Sequence, residues 1–401
     1  MKRRDFLKTS VLAGTALAGT GMGMTTSAVV GGADGGSVYH DPEIVTVCKA
    51  DKDLPRHSEA SIMELNDSTL LIAWQRFEAS RFGSGDEAPA TISLMNSPDG
   101  GRTWDNFRIV VERDESVVNA YSPNFLRLKN GEILLMFMKY NQLEAGKPQL
   151  ATAYTIRSRD EGKTFSEPVP IWQREQFGFS NSCMMRLSSG RVLIPIQHTA
   201  GFVWHPTEKC HVRVFYSDDD CKTWVFSDKN ISLPMRGAME PFIAELKDGR
   251  LIMVMRNQLG SVFKSYSADQ GENWSLPQTT GLSSPESCPY VTNIPGSDKI
   301  MVIWNNSEYN PQWRSHYGKR SPLTAAISAD GGVTFTDFWD IETDPNVAFS
   351  NPGITWTKDG ACLLTYWACP YTKDWVMSGL IDLKLARFRV RVSSEIFNPM
   401  E

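Results

Sequence analysis

One eight-residue pattern recurs along the chain and constrains its fold more than any other feature. Ser97-Pro-Asp99-Gly-Gly101-Arg-Thr103-Trp104 returns as Ser158-Arg-Asp160-Glu-Gly162-Lys-Thr164-Phe165 and as Ser217-Asp-Asp219-Asp-Cys221-Lys-Thr223-Trp224. It returns again as Ser267-Ala-Asp269-Gln-Gly271-Glu-Asn273-Trp274 and as Ser328-Ala-Asp330-Gly-Gly332-Val-Thr334-Phe335. From serine to serine the steps are 61, 59, 50 and 61 residues. Self-similarity at a near-constant period signals a repeat architecture, and this period suits one four-stranded blade of a β-propeller. The chemistry of the pattern is that of a turn. The aspartate accepts hydrogen bonds from the backbone amides of its own loop. The glycine supplies a backbone conformation that other residues resist. The closing Trp or Phe fills the gap between strands or blades. These boxes are read as structural turns, and Cys221, standing where glycine is expected, predicts an irregular third turn.

Between boxes the chain alternates turns with short apolar, β-prone runs. Examples begin at Gly131, Gly190, Gly249 and Gly360. Each pairs a glycine turn with a strand-like run, and no long stretch carries helical periodicity. The chain has 401 residues, 41% hydrophobic and 22% charged, enough for a large core. A formal net charge of −5 without a long basic run speaks against nucleic acid as a partner.

Arg3 and Arg4 stand before a short apolar stretch rich in Gly and Thr, which ends near Thr26-Ser27-Ala28. This predicts a twin-arginine export signal over residues 1–28 and a periplasmic or secreted protein. The stretch is too short to span a bilayer comfortably, and no later segment reaches that length, so no membrane partner is expected after signal removal. The remaining residues, 29–401, number 373, about six blades at the observed period. Without a linker or composition break they read as one domain. The seven cysteines contain no CxxC pair, so no metal site is expected. Mostly free, buried thiols are expected, with a Cys210–Cys221 bridge left open. No cofactor is implied.

Such boxes on six blades resemble the sialidase superfamily and its BNR-repeat relatives, over most of residues 29–401. The fold implied is an all-β, six-bladed, sialidase-like propeller. The activity implied is glycoside hydrolysis, with a glycan as partner. Sialidases hold a substrate carboxylate with three arginines, because only guanidinium offers bidentate, charge-assisted contacts. They also use a Tyr nucleophile with a Glu partner and an Asp acid/base.

Carried over residue by residue, the resemblance gives these candidates. The run from Glu240 through an apolar strand and a D-G-R turn to Arg256 is similar to the family's Glu-to-Arg stretch. Arg320, three residues before Leu323-Thr324, resembles the third arginine, and Arg76 ends a strand similar to the arginine strand of the first blade. The Gly- and Ser-rich loop holding Asp86 and Glu87 falls where the acid/base loop lies and suits a mobile lid. Asp86 is the acid/base candidate, with Glu87 its alternative.

Two positions depart from the pattern. The family's Arg-Ile-Pro opening is replaced by Arg56-His57-Ser58-Glu59-Ala60, and aligning strand ends puts Ser58, not Arg56, at the arginine's place. Glu59 follows as a substrate-binding candidate whose carboxylate would repel an anion. At the nucleophile's place the chain reads Ala348-Phe349-Ser350, and Phe349 has no hydroxyl.

His198, at a strand end, is a further catalytic candidate. With Tyr140 and an arginine it would serve a uronate lyase or rhamnosidase built on the same scaffold. His316 and Tyr317, just before Arg320, are candidates to touch the substrate. Trp74, Trp204, Trp304, Trp313 and Trp367 suit sugar faces, but packing between blades is the commoner use. His57, His211, His40 and His205 rank below these. The leading expectation is an exported hydrolase acting on a terminal sugar, acidic or hydroxyl-rich, gripped by Arg76, Arg256 and Arg320. A lyase or rhamnosidase and a non-catalytic carbohydrate-binding propeller are the alternatives.

Overall fold

A computed structural model describes residues 38–391, apart from 40, 114–116, 142–149, 175, 201–207 and 314–315. The expected export signal, His40, Trp204 and His205 lie outside the described residues. Those described contain strands, turns and loops and no helix.

Six antiparallel sheets are arranged as propeller blades, and a seventh, two-stranded sheet pairs Val38–Tyr39 with Val390–Arg391. Blade I runs Arg56–Glu64, Leu70–Phe77, Ala90–Ser97 and Asp105–Val111. Blade II begins at Val117–Arg127, blade IV at Met239–Glu245 and blade V at Tyr290–Asn293. The first strand of blade III is broken into Phe177–Gly178 and Met185–Arg186, both paired with Val192–His198. In blade VI the strands Val347–Trp356, Cys362–Pro370 and Asp382–Phe388 are completed by Glu43–Cys48, from the other end of the chain. One blade thus joins both ends of the domain and closes the ring. This also explains five boxes on six blades. Every box joins the third strand of a blade to its fourth, and blade VI has no such connection.

First strands surround the axis and bond to one another. Asn181 Nδ2 of blade III donates to Ala60 O of blade I at 2.8 Å, and Tyr290 OH of blade V to Ser182 O at 2.7 Å. Thr355 Oγ1 of blade VI donates to Ile62 O at 2.7 Å. Second strands are buried on both faces. Leu251–Arg256 and Ile300–Asn305 are buried along their whole length, as strands in the middle of packed blades must be.

The boxes behave as their chemistry predicts. In the first, Asp99 Oδ1 accepts the amides of Arg102 and Thr103 at 3.0 and 2.9 Å, and its Oδ2 accepts Thr103 Oγ1 at 2.7 Å. Gly162 has φ 77°, and a Cβ there would lie 2.5 Å from Leu71 Cδ2 of the preceding blade. Glycine is therefore needed both for its backbone and for close packing of blades. The third box keeps its aspartate bonds, with Thr223 N to Asp219 Oδ1 at 2.8 Å and Cys221 N to Ser217 Oγ at 2.9 Å. Its irregularity is narrower than expected. Cys221 takes φ 65°, and Trp224 Nε1 is buried without a partner, whereas Trp104 and Trp274 donate to the box glycine carbonyls at 3.0 Å. All seven cysteines are free, so the Cys210–Cys221 bridge is not formed.

Candidate functional site

Register places the boxes and the site on opposite faces. Leu70 at the start of the second strand of blade I pairs with the box residue Ser97, while Phe77 at its far end pairs with Arg56. At the Arg56 end lies a cavity of about 730 Å³ over the propeller axis.

A repeated backbone device builds its wall. Near the cavity end, the first strands of blades I, II, IV and VI each carry a bulge. Each bulge holds a non-glycine residue with positive φ: Glu59 at 43°, Ser122 at 51°, Glu240 at 40° and Asn351 at 52°. All four line the cavity. A bulge breaks strict alternation and re-aims a side chain, and left-handed backbone at residues other than glycine is strain that clusters at functional sites.

The charged groups fall into two ion-paired sets and one arginine apart. Arg56 is forked: its Nη2 meets Glu59 Oε1 at 2.8 Å, its Nη1 meets Asp86 Oδ1 at 2.7 Å, and its Nε donates to Ser58 Oγ at 2.7 Å. In the second set Arg256 bonds Glu240 Oε2 and Glu286 Oε1, both at 2.8 Å. Arg236 also reaches Glu286 Oε1, at 2.6 Å, and Gln258 Nε2 reaches its other oxygen at 2.9 Å. Arg320 is the one apart. Its Nη2 donates to the Glu286 backbone carbonyl at 3.1 Å, its guanidinium lies over the Trp367 ring at 5.5 Å, and its Nε has no partner.

These contacts set protonation. Burial pushes the Glu59 carboxyl above its ordinary range, and Arg56 and Ser58 only partly offset this. Burial also opposes the charge on Asp86, but the Arg56 charge and hydrogen bonds from Arg56 and Tyr121 outweigh it, so Asp86 lies below its ordinary range. The two carboxylates on one guanidinium are thereby split toward acid and base, the arrangement from which roles can be read. Glu286 is likewise lowered, burial being overcome by Arg256 and Arg236. Burial, then repulsion from Arg256, brings Arg320 down to about 10. Burial, then Arg320 and Arg256, holds His316 well below its ordinary value.

Of the sequence candidates, Glu59, Asp86, Glu240, Arg256, His316, Tyr317 and Arg320 meet in this cavity, with Trp313 and Trp367. Arg76 and His198, offered beside them as site residues, do not. Arg76 lies outside it, its guanidinium 5.5 Å from the Phe107 ring and 3.9 Å from Glu78. Strand alternation is the reason, since its neighbours Gln75 and Phe77 take the other face. His198 borders a separate cavity of about 190 Å³ with Trp172, Phe226 and Arg213, and its Nε2 meets Asn230 Oδ1 at 3.0 Å. Tyr140 is buried, donating to Phe177 O at 3.0 Å, so the trio imagined for a lyase is not assembled in the main cavity. Arg56, not Ser58, presents the arginine of blade I, because the bulge at Glu59 shifts the register on which the strand-end alignment relied.

The Asp86 loop is tied down rather than loose. Asn119 Nδ2 donates to Asp86 O at 2.7 Å and to Ala88 O at 3.1 Å, and Tyr121 OH reaches Asp86 O at 3.2 Å. Glu87, its alternative, is exposed. Phe349 is 1% exposed and packs edge-on to Tyr366, away from the cavity. Arg236, Glu286, Gln258 and Tyr121 were not singled out by the sequence. The first three stand on connections between strands, where no periodic signal marks them. No group of three or more His, Cys, Asp or Glu among the described residues could hold a metal ion.

The model of the BNR repeat-like domain matches residues 68–364, most of the chain. The chain belongs to that family. A sialidase of Bacteroides fragilis (strain YCH46) is 24% identical to this BNR repeat-like protein over 283 residues. That match covers 61% of the chain and 48% of the relative, so the chain spans about half of that relative's length. Among solved structures, a protein of Dyadobacter fermentans DSM 18053 has TM-score 0.67 at 16% identity, covering 88% of this chain and 99% of its own. The intramolecular trans-sialidase of Ruminococcus gnavus has TM-score 0.64 at 14% identity, covering 86% and 97%. These likenesses agree with the six-bladed sialidase-like fold.

Proposed function

We propose that this BNR repeat-like protein is an exported glycoside hydrolase that removes a terminal, acidic sugar from a glycan. One observation supports this above the rest: a single axial cavity holds both a carboxylate pair split toward acid and base and a buried arginine without a carboxylate. Arg320 would receive the sugar's anionic group, with Trp367 and Tyr317 against the ring. Glu59, whose hold on a proton is strengthened by burial, would give that proton to the glycosidic oxygen as that bond breaks. Asp86, kept ionised by Arg56, would take a proton from the water that forms the new bond to the anomeric carbon. Glu240, fixed by Arg256, would complete the wall beside the reacting carbon. Phe349 offers no hydroxyl, so the step proposed is displacement by water rather than through a glycosyl-enzyme.

The test is hydrolysis of aryl glycosides of sialic, glucuronic and galacturonic acids by the purified protein, with polyanionic uronate glycans beside them followed by ultraviolet absorbance for a new double bond. We expect release of one acidic sugar, with Asp86→Asn and Glu59→Gln each losing at least about a hundredfold. A new double bond would instead favour a lyase. The missing hydroxyl at Phe349 favours one other reading, a propeller that binds sugars without cleaving them. Binding without turnover would support it and remove the hydrolase.

A further inference from the structure

Three of the four cavity arginines are already answered by carboxylates of the chain itself. Arg56 is held by Glu59 and Asp86. Arg256 is held by Glu240 and Glu286, and Arg236 by Glu286. Arg320 is as deeply placed, 4% exposed, yet it makes no ion pair among the described residues and its Nε is buried without a partner. A buried guanidinium nitrogen left without an acceptor is costly. What sets Arg320 apart from the other three is the lack of a carboxylate partner.

Arg236 and Arg256 also have an unpartnered Nε, but their terminal nitrogens, unlike those of Arg320, meet the Glu286 carboxylate. Glu286 is 4% exposed. One of its oxygens takes both Arg236 and Arg256, while the other takes Gln258. Its carboxylate therefore does within the chain what a bound ligand's carboxylate would do. We infer that Glu286 is a specificity-determining counter-anion: by occupying Arg236 and Arg256, it leaves Arg320 to grip the ligand, so that the cavity selects a sugar with a single carboxylate held at one arginine. This rests on the cavity being a sugar site and not on its being catalytic. It also separates this cavity from a grip shared among three arginines.

The experiment measures binding to the full-length protein by calorimetry. Its probes are the α-methyl glycosides of N-acetylneuraminic, glucuronic and galacturonic acids, each beside its neutral carboxamide. We expect at least one acid to bind about thirtyfold more tightly than its amide, the worth of a hydrogen bond to a charged group. Arg320→Met should reduce that acid to the affinity of its amide and leave the amide unchanged, with Arg320→Lys restoring part of the preference. Glu286→Gln frees two arginines and should raise the acid's affinity about tenfold without helping the amide. If that variant does not fold, Arg236→Met with Glu286→Gln removes one charge of each sign and reads the same quantity.

Equal binding of acid and amide overturns the inference. So does an acid affinity unmoved by freeing Arg256, or binding of none of the six probes. Aryl glycoside turnover measured in parallel keeps the two claims apart. Discrimination without turnover sustains this inference and removes the hydrolase, while turnover without discrimination does the reverse.

Discussion

Arg191 and Arg256 each bridge two carboxylates, on opposite faces of the same propeller. Arg191, on the box face, meets Asp218 at 2.7 Å and Glu272 at 3.1 Å, and those partners are 60% and 48% exposed. Arg256, on the cavity face, meets Glu240 and Glu286 at 2.8 Å, and both partners are 5% exposed. The geometry is alike and the surroundings are not. Water already solvates the first set, so its pairing adds little. The second set has been taken out of water, so each charge depends on its partner. The box face repeats one self-sufficient turn five times. The cavity face assembles unlike residues from several blades, and beside the Arg56–Glu59 pair within one strand its ion pairs join separate segments.

The largest expected effect comes from breaking this contrast directly. Arg256→Met leaves Glu240 without its cation and should cost about 3–5 kcal/mol of unfolding free energy. Arg191→Met should cost under about 1 kcal/mol. Urea unfolding of both variants beside the parent checks this. Equal losses would show that the faces differ in layout but not in energetics.

Acid should separate the faces by pH. On the cavity face His57 is buried, accepts Trp74 Nε1 at 3.1 Å, and is brought down to about 4 by burial and then by Arg76. Below pH 6.5 the unfolded chain binds a proton at this histidine that the folded chain refuses. Stability should therefore fall by roughly 3 kcal/mol between pH 6.5 and pH 4. His57→Gln should flatten that segment of the curve. On the box face Asp160 is held at about 2, first by Thr164. Its contribution stays intact through that window and is lost only below the ordinary aspartate range, as pH falls toward 2. A profile that His57→Gln does not change would assign the loss to other groups.

The two faces also differed in how far they could be read from sequence. A box is complete within eight residues, so all five were visible, and their spacing led to the propeller and its number of blades. The cavity depends on contacts between residues far apart in the chain. Glu240, Arg256 and Arg320 were legible because they lie in segments resembling a known family. Arg56 was passed over for Ser58 because the bulge at Glu59 alters which side chains face inward, while Arg76 ends a strand of the expected kind but alternation turns it to the other face. Register defects of this kind leave no mark in residue type. Glu286 and Arg236 lie 50 residues apart on connecting segments and become a pair only when blades IV and V are packed.

Packing between blades offers a smaller effect, on the box face. Gly162→Ala places a methyl 2.5 Å from Leu71 Cδ2 on a backbone at φ 77°. It should cost about 1–3 kcal/mol through strain and crowding together. Gly249→Ala, at φ 81° with nothing near its Cβ, isolates the backbone part and should cost about 1–2 kcal/mol. Equal denaturation midpoints for the two would mean that the blades can move apart to admit the methyl.

The smallest effect belongs to the box that breaks its own pattern. Cys221 occupies a left-handed position that glycine fills in the other four copies. Replacing it with glycine removes backbone strain of about 1–2 kcal/mol. Glycine's greater freedom in the unfolded chain returns about 0.5–1 kcal/mol of that. Losing the buried thiol, 3% exposed here, returns roughly 1 kcal/mol more. These terms nearly cancel, so Cys221→Gly should shift stability by less than about 1 kcal/mol in either direction. The indole of Trp224 is the term that decides the sign. If glycine lets the carbonyl at 221 turn toward Trp224 Nε1, as in the first and fourth boxes, a net gain should appear with a change in tryptophan fluorescence. A net loss without that change would show that the carbonyl stays with Arg157 Nη2, which it accepts at 3.3 Å, and that the third turn is fixed by its neighbouring blade rather than by its own glycine position.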